Sequence, residues 1–139
     1  MGCYLRILGN FNPEELMLVH KVDLQPDSTW MKGDALRKNR QYEASGIQFF
    51  VSDASHDDYR RQFKQAIAFL SANKEWLRVV TNDQRVEEAF LDFGLSQDSH
   101  PAYFRRLPRA LIQWAGVCGL EIELSFYAIS DSHPNFSEK

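Results

Sequence analysis

The stretch LEIELSFYAIS, residues 120–130, alternates with a period of two, setting Leu120, Ile122, Leu124 and Phe126 against Glu121, Glu123, Ser125 and Tyr127. Successive side chains of an extended chain point to opposite sides, so this pattern describes a strand with one apolar and one polar face. Such a strand belongs to a sheet packed on a core on one side and wetted on the other. Glu121 and Glu123 then share a face, roughly 7 Å apart. Paired carboxylates do acid–base chemistry when burial splits their pKa values. On the wet side of a strand the pair reads instead as a solvated face.

Upstream, PRALIQWAGVC (108–118) feeds this strand as a helix, with Pro108 as first residue and Gly119 as its stop. A polar loop precedes it. Before that loop, VEEAFLDFGLS (86–96) alternates as a strand from Leu91, with Leu91, Phe93 and Leu95 on one face. Its start, Glu87 to Phe90, suits a helix equally well.

The opening third follows a similar plan. CYLRILG (3–9) reads as a strand with Cys3, Leu5 and Ile7 on one side. Asn12 caps a helix with Pro13 in its first position and Glu15 three residues after the cap. Leu16, Val19 and His20 continue its inward stripe, and Pro26 ends it by disfavouring helical geometry at Gln25. GIQFFVS (46–52) is the second strand, rich in β-branched and aromatic residues. Ser55 and Asp58 resemble a capping box ahead of the longest helix. There Tyr59, Phe63, Ala66, Ile67 and Leu70 recur at helical spacing, while Arg60, Arg61, Lys64 and Gln65 cover the outer side. Asn73 interrupts the helix, and Trp76, Leu77 and Val80 add another turn or two.

The resulting order is strand, helix, strand, long helix, strand, helix, strand. It describes an α+β fold: one domain over residues 1–139, a sandwich whose mixed sheet of about four strands has helices mainly on one face. Residues 131–139 form a polar tail. With 44% hydrophobic residues, a chain of 139 can bury one core.

Composition narrows the functional classes. Nineteen acids against 16 bases give a formal charge of −3, which argues against a dedicated nucleic-acid binder. No apolar run approaches the ~20 residues that span a bilayer. The N-terminus lacks an export signal, and Arg6 stands where a myristoylation signal needs Ser or Thr. A cytoplasmic protein is expected, with Cys3 and Cys118 as buried, reduced thiols. His20, His56, His100 and His133 have no metal-ligand spacing, and no nucleophile elbow, phosphate loop or dinucleotide fingerprint occurs. No catalytic residue, metal or cofactor is expected.

Two clusters stand out. TWMKGDALRKNRQY (29–42) gathers Trp30, Lys32, Gly33, Asp34, Arg37, Lys38, Arg40 and Tyr42. These could stack a base and hold phosphates. The favoured reading makes Trp30 a core plug that anchors an ordered loop, with Gly33 permitting its turn. Asp53, Asp57 and Asp58 cluster before the long helix, where capping explains them better than cation binding does.

LRILGNF, NPEEL and TWMKGD near the start, with FRRLPRALIQWAGVCGLEIELSFYA near the end, together resemble the bacterial family known as domain of unknown function 4279. Trp30, Lys32, Gly33 and Asp34 match its most specific pattern, whereas the basic run at 37–40 belongs to no part of it. Small bacterial families of this type look like members of toxin–immunity loci. The resemblance therefore implies a non-enzymatic immunity protein, an antitoxin that occludes a cognate toxin domain such as a nuclease. Exposed acids at Asp53, Asp57, Asp58, Glu87 and Glu88 are the expected contact groups for a basic partner. The alternative is a small-molecule or nucleotide-binding regulatory module that uses the Trp30–Arg40 loop.

Overall fold

The computed structural model describes residues 2–97 and 105–128. β1 (Cys3–Gly9) runs through the middle of a mixed sheet, antiparallel to β5 (Ser45–Ser52) on one side and to β6 (Val86–Ser96) on the other. A short β2 (Ser28–Trp30) pairs antiparallel with β5 at one edge, and β7 (Glu121–Tyr127) pairs parallel with β6 at the other. The order across this five-stranded sheet is β2-β5-β1-β6-β7. Parallel neighbours need a crossover connection, and α3 (Arg109–Cys118) provides it between β6 and β7. A separate two-stranded hairpin, β3 (Ala35–Arg37) and β4 (Arg40–Gln41), turns at Asn39.

The α+β class, the mixed sheet and the placement of helices on one face follow the alternation in the sequence. The strand count does not. The stretch read as a loop between two strands contains β2 and the β3–β4 hairpin, so the main sheet has five strands rather than four. The shared plan of the two ends is also only local. After α1 (Pro13–Val19) the chain returns in β5 antiparallel to β1, whereas β7 returns parallel to β6.

One core explains the layering. Cys3, Leu5 and Ile7 of β1 meet Ile47 and Phe49 of β5 and Leu91, Phe93 and Leu95 of β6, all buried on the same side. Leu16 of α1, Phe63, Leu70 and Leu77 of α2 (Tyr59–Thr81), and Leu111 of α3 cover them. Phe63 meets Phe93 edge-on, 5.0 Å between ring centres, which locks the long helix onto the sheet.

Local signals set most boundaries. Asn12 accepts the Glu15 amide (3.1 Å) with Pro13 in the first turn, as read. α1 stops at Val19, well before Pro26. His20 caps it and Lys21 turns left-handed (φ 56°), leaving Val19 56% exposed instead of inward. The cap of α2 is Asp58, whose carboxylate accepts the Arg61 amide; Ser55 bonds Asp57 instead. Asn73 does interrupt α2. Its amide donates to the Phe69 carbonyl and its Oδ1 accepts the Trp76 indole N–H, so the side chain stabilises the kink. β6 is extended from Val86 onward, because Ala89 and Glu88 pair with Ile7 and Leu8 of the central strand. Helical 87–90 would forfeit those pairs.

Candidate functional site

With α1, α2 and α3 packed on one face, the other face of the sheet carries no helix among the described residues. Strand phase brings Tyr4 and Arg6, Gln48 and Phe50, Phe90 and Asp92, and Ser125 and Tyr127 to that bare side. Arg6 organises it. Its Nε donates to Gln48 Oε1 (2.8 Å), and its guanidinium pairs with Asp92. Asp92 in turn accepts the Ser125 hydroxyl (2.7 Å), while Gln48 donates to Asp27 (2.8 Å). Polar side chains are thus linked across β5, β1, β6 and β7. Such a chain fixes side-chain rotamers, which makes the surface preformed. Aromatic area lies beside it: Tyr4 meets Phe50 edge-on at 5.9 Å, and Phe50 is 48% exposed.

The two ends of this face differ. At the Ser96 end, His56 covers Gly94 and stacks on Tyr127, 4.8 Å and 11° between the rings. At the Val86 end, Glu88, Glu121 and Glu123, all exposed, surround Phe90 in a shallow depression of about 640 Å³. Parallel pairing of Phe90 with Glu121 and of Asp92 with Glu123 brings β7's acids to Glu88.

The five acids read as contact groups do not form one surface. Asp53, Asp57 and Asp58 are exposed in the segment between β5 and α2, which meets the Ser96 end of β6 through the Ser96 amide and the His56 carbonyl (2.9 Å). Glu87 and Glu88 stand at the opposite end of β6, roughly 25 Å away at about 3.3 Å per residue. Asp57 is held below the usual carboxylate range by the Ser55 hydroxyl. The structure groups Glu88 with Glu121 and Glu123 instead. Alternation placed those two on one face, but their neighbour is fixed only by the pairing of β6 with β7.

The Trp-Met-Lys-Gly-Asp segment is a built turn. Gly33 adopts φ +94° and donates its amide to the Tyr42 carbonyl (2.9 Å). Asp34 accepts the Met31 amide (2.8 Å), and the Lys32 amide donates to the Ser45 hydroxyl (3.0 Å). Trp30 is not a core plug. It is half-buried at the sheet edge, outside the core cluster, resting on Gly46 and stacked on Tyr42 at 4.9 Å and 20°. It pairs with Gly46, one residue out of phase with the core residue Ile47, so it faces away from the core. The two rings occupy each other, so no base fits between them. Arg37, Lys38 and Arg40 are exposed on the adjoining hairpin.

Charge is strongly segregated. β6 and β7 carry five acids and no cation. α2 with residues 105–118 carries eight of the chain's 16 cations and one acid, Glu75. The net charge of −3 conceals a molecule with an acidic sheet end and a basic helical layer.

Cys3 and Cys118 are buried free thiols, and burial pushes both pKa values up. Among the described residues no group of three or more His, Cys, Asp or Glu side chains is placed to hold a metal ion. No helix among them is long and apolar enough to cross a membrane. His100, His133 and the tail from 131 lie outside the described residues. Comparison of the chain with family models, curated proteins and solved structures gives no match. The likeness to domain of unknown function 4279 therefore rests on the quoted segments themselves.

Proposed function

We propose that this chain is a non-enzymatic binding protein of the immunity type, which neutralises a cognate toxin domain by covering it with the bare face of its sheet. One observation carries the reading. A sheet face that carries no helix among the described residues has its side chains cross-linked from Gln48 through Arg6 and Asp92 to Ser125, with exposed aromatic area and three carboxylates at one end. A rigid surface loses little side-chain entropy when a partner docks. Aromatic groups supply contact area, and carboxylates around Phe90 complement a basic cleft and speed encounter.

The contact groups on this reading are Glu88, Glu121 and Glu123 with Phe90, Tyr4 and Phe50. The Asp57 and Asp58 region reaches the partner only if the partner spans the whole length of β6. The test is genetic and biochemical. The product of the gene directly preceding this one should be toxic when expressed alone and harmless when coexpressed with this protein. The two should form a complex that survives size-exclusion chromatography. A neighbouring product without toxicity, or toxicity that coexpression leaves intact, overturns the reading.

A further inference from the structure

The basic helical layer contains a groove that the sheet-face reading does not use. Between α2 and the segment entering α3, Tyr59, Phe63, Ile67 and Pro108 form an apolar floor, with Arg60, Lys64 and Arg106 around it, enclosing about 670 Å³. That volume falls within the ~300–1,000 Å³ typical of small-molecule sites. Two guanidiniums stand over the Tyr59 ring, Arg60 at 5.1 Å and Arg105 at 4.6 Å from its centre. Cation–π contact holds positive charge at the rim of an apolar wall.

Among the described residues, Arg60, Lys64 and Arg106 form no ion pair with a carboxylate and no acid lines the groove. Pro108 is the N-cap of α3 rather than its first residue and offers no side-chain acceptor to the first-turn amides, so the positive end of a helix dipole adjoins the same rim. An anion is the complement.

Its body is apolar rather than a stacked base. Tyr59 already faces guanidiniums, and Phe63 is engaged edge-on by Tyr59 and by Phe93. The remaining walls are Ile67, Pro108 and the methylene stems of Arg60 and Lys64, surfaces suited to an aliphatic chain. We infer that this groove binds a free aliphatic carboxylate, with the chain along Ile67 and Phe63 and the carboxylate held by Lys64 and Arg106. The site lies on the helical layer, opposite the sheet face, and stands independently of the immunity reading.

The test uses the full chain and decanoate below its micelle concentration, followed by calorimetry and by amide chemical shifts. Decanoate should bind with saturable shifts confined to α2 around Phe63–Ile67 and to residues 105–109. 1-Octanol, which has a chain without charge, and acetate, which has charge without a chain, should each bind at least about tenfold more weakly. Lys64→Gln with Arg106→Gln should weaken decanoate at least about tenfold while leaving the fold intact, since both side chains are exposed. Vesicles containing phosphatidylglycerol form the remaining arm: binding to them in preference to free decanoate overturns the assignment in favour of a membrane surface. Equal binding of octanol, absence of decanoate binding, or unchanged affinity in the double variant also overturns it.

Discussion

The Trp30 indole rests against Gly46, its cross-strand partner, so closely that a Cβ on Gly46 would stand 2.2 Å from the indole Cζ2. The edge strand β2 is seated by this contact and by Tyr42 stacked on the same ring. Gly46→Ala should therefore evict the indole. Trp30→Ala should cost about 1–2 kcal/mol, well below the ~3–5 kcal/mol of a fully buried aromatic truncation. In the double variant the clash disappears, and the two costs should fall short of additivity by at least about 0.5 kcal/mol. Urea melts of the four proteins measure this directly. Strict additivity would mean that the indole is not held on Gly46.

Some of this was legible because the signals are local. Asn12-Pro13-Glu15 begins a helix by itself, and Gly119, at φ +75°, ends one by itself. The alternation of 120–127 needs no partner to be seen. β2 was hidden because three residues, Ser28 to Trp30, cannot show a period and become a strand only by pairing with β5. Residues 87–90 were ambiguous for the same reason, their conformation being set by β1. The groove on the helical layer was least visible. Its cations at 60, 64 and 106 read as a solvated helix face and a polar loop until α3's crossover brings Arg106 and Pro108 beside Tyr59.

Gln62 is a polar residue on the inward stripe of α2, three residues after Tyr59 and four before Ala66. It is fully buried, and its amide donates to the carbonyls of Ser55 (3.0 Å) and Gly94 (2.8 Å), tying α2 to β6 and to the 53–58 segment. Gln62→Leu keeps the volume but leaves those carbonyls without this donor. Ser55 keeps the Asp58 amide on its carbonyl (3.0 Å), so the loss falls on the buried Gly94 carbonyl, and removal of Gln62 Oε1, which has no hydrogen-bond partner among the described residues, offsets part of it. The variant should be destabilised by the lower end of about 1–3 kcal/mol although its hydrophobicity rises. Hydrogen exchange should show Ser55–Asp58 opening more readily than in the parent. A Leu variant as stable as the parent would show that the amide bridge contributes no more than the unpartnered Oε1 costs.

Asp83 sets an acid limit. It accepts His20 Nε2 (2.8 Å), the Arg85 amide (2.9 Å) and the Arg85 guanidinium (3.0 and 3.1 Å), joining the end of α1 to the turn between α2 and β6. The Arg85 guanidinium, followed by His20, holds its carboxyl well below the usual range. A carboxyl depressed on folding contributes stability that is complete above its unfolded pKa, about 3.9, and is lost as pH falls through its folded value. The stability gap between the parent and Asp83→Asn should thus be constant near neutrality and close progressively below about pH 4. Melts from pH 7 downward test the sign, and a gap that widens in acid would contradict it.

Two acidic regions of the surface are separable by association kinetics. Screening limits the reach of exposed charge to roughly 8 Å at physiological salt, so carboxylates accelerate association only where the partner docks. Glu88, Glu121 and Glu123 surround Phe90 at one end of the bare sheet face, whereas Asp57 and Asp58 lie beyond the other end. Replacing the three glutamates by Gln should slow association with the cognate toxin several-fold at low salt and flatten its salt dependence, with dissociation changed less. Asp57→Asn with Asp58→Asn removes similar charge while keeping the capping oxygen that Arg61 uses. On the sheet-face reading this pair leaves the on-rate within about twofold of the parent, since its distance from the docking end exceeds the screening length. Stopped-flow traces across ionic strength decide between the two ends. A slow Asp pair beside a normal Glu triple would move the interface to the Ser96 end, around His56 and Tyr127.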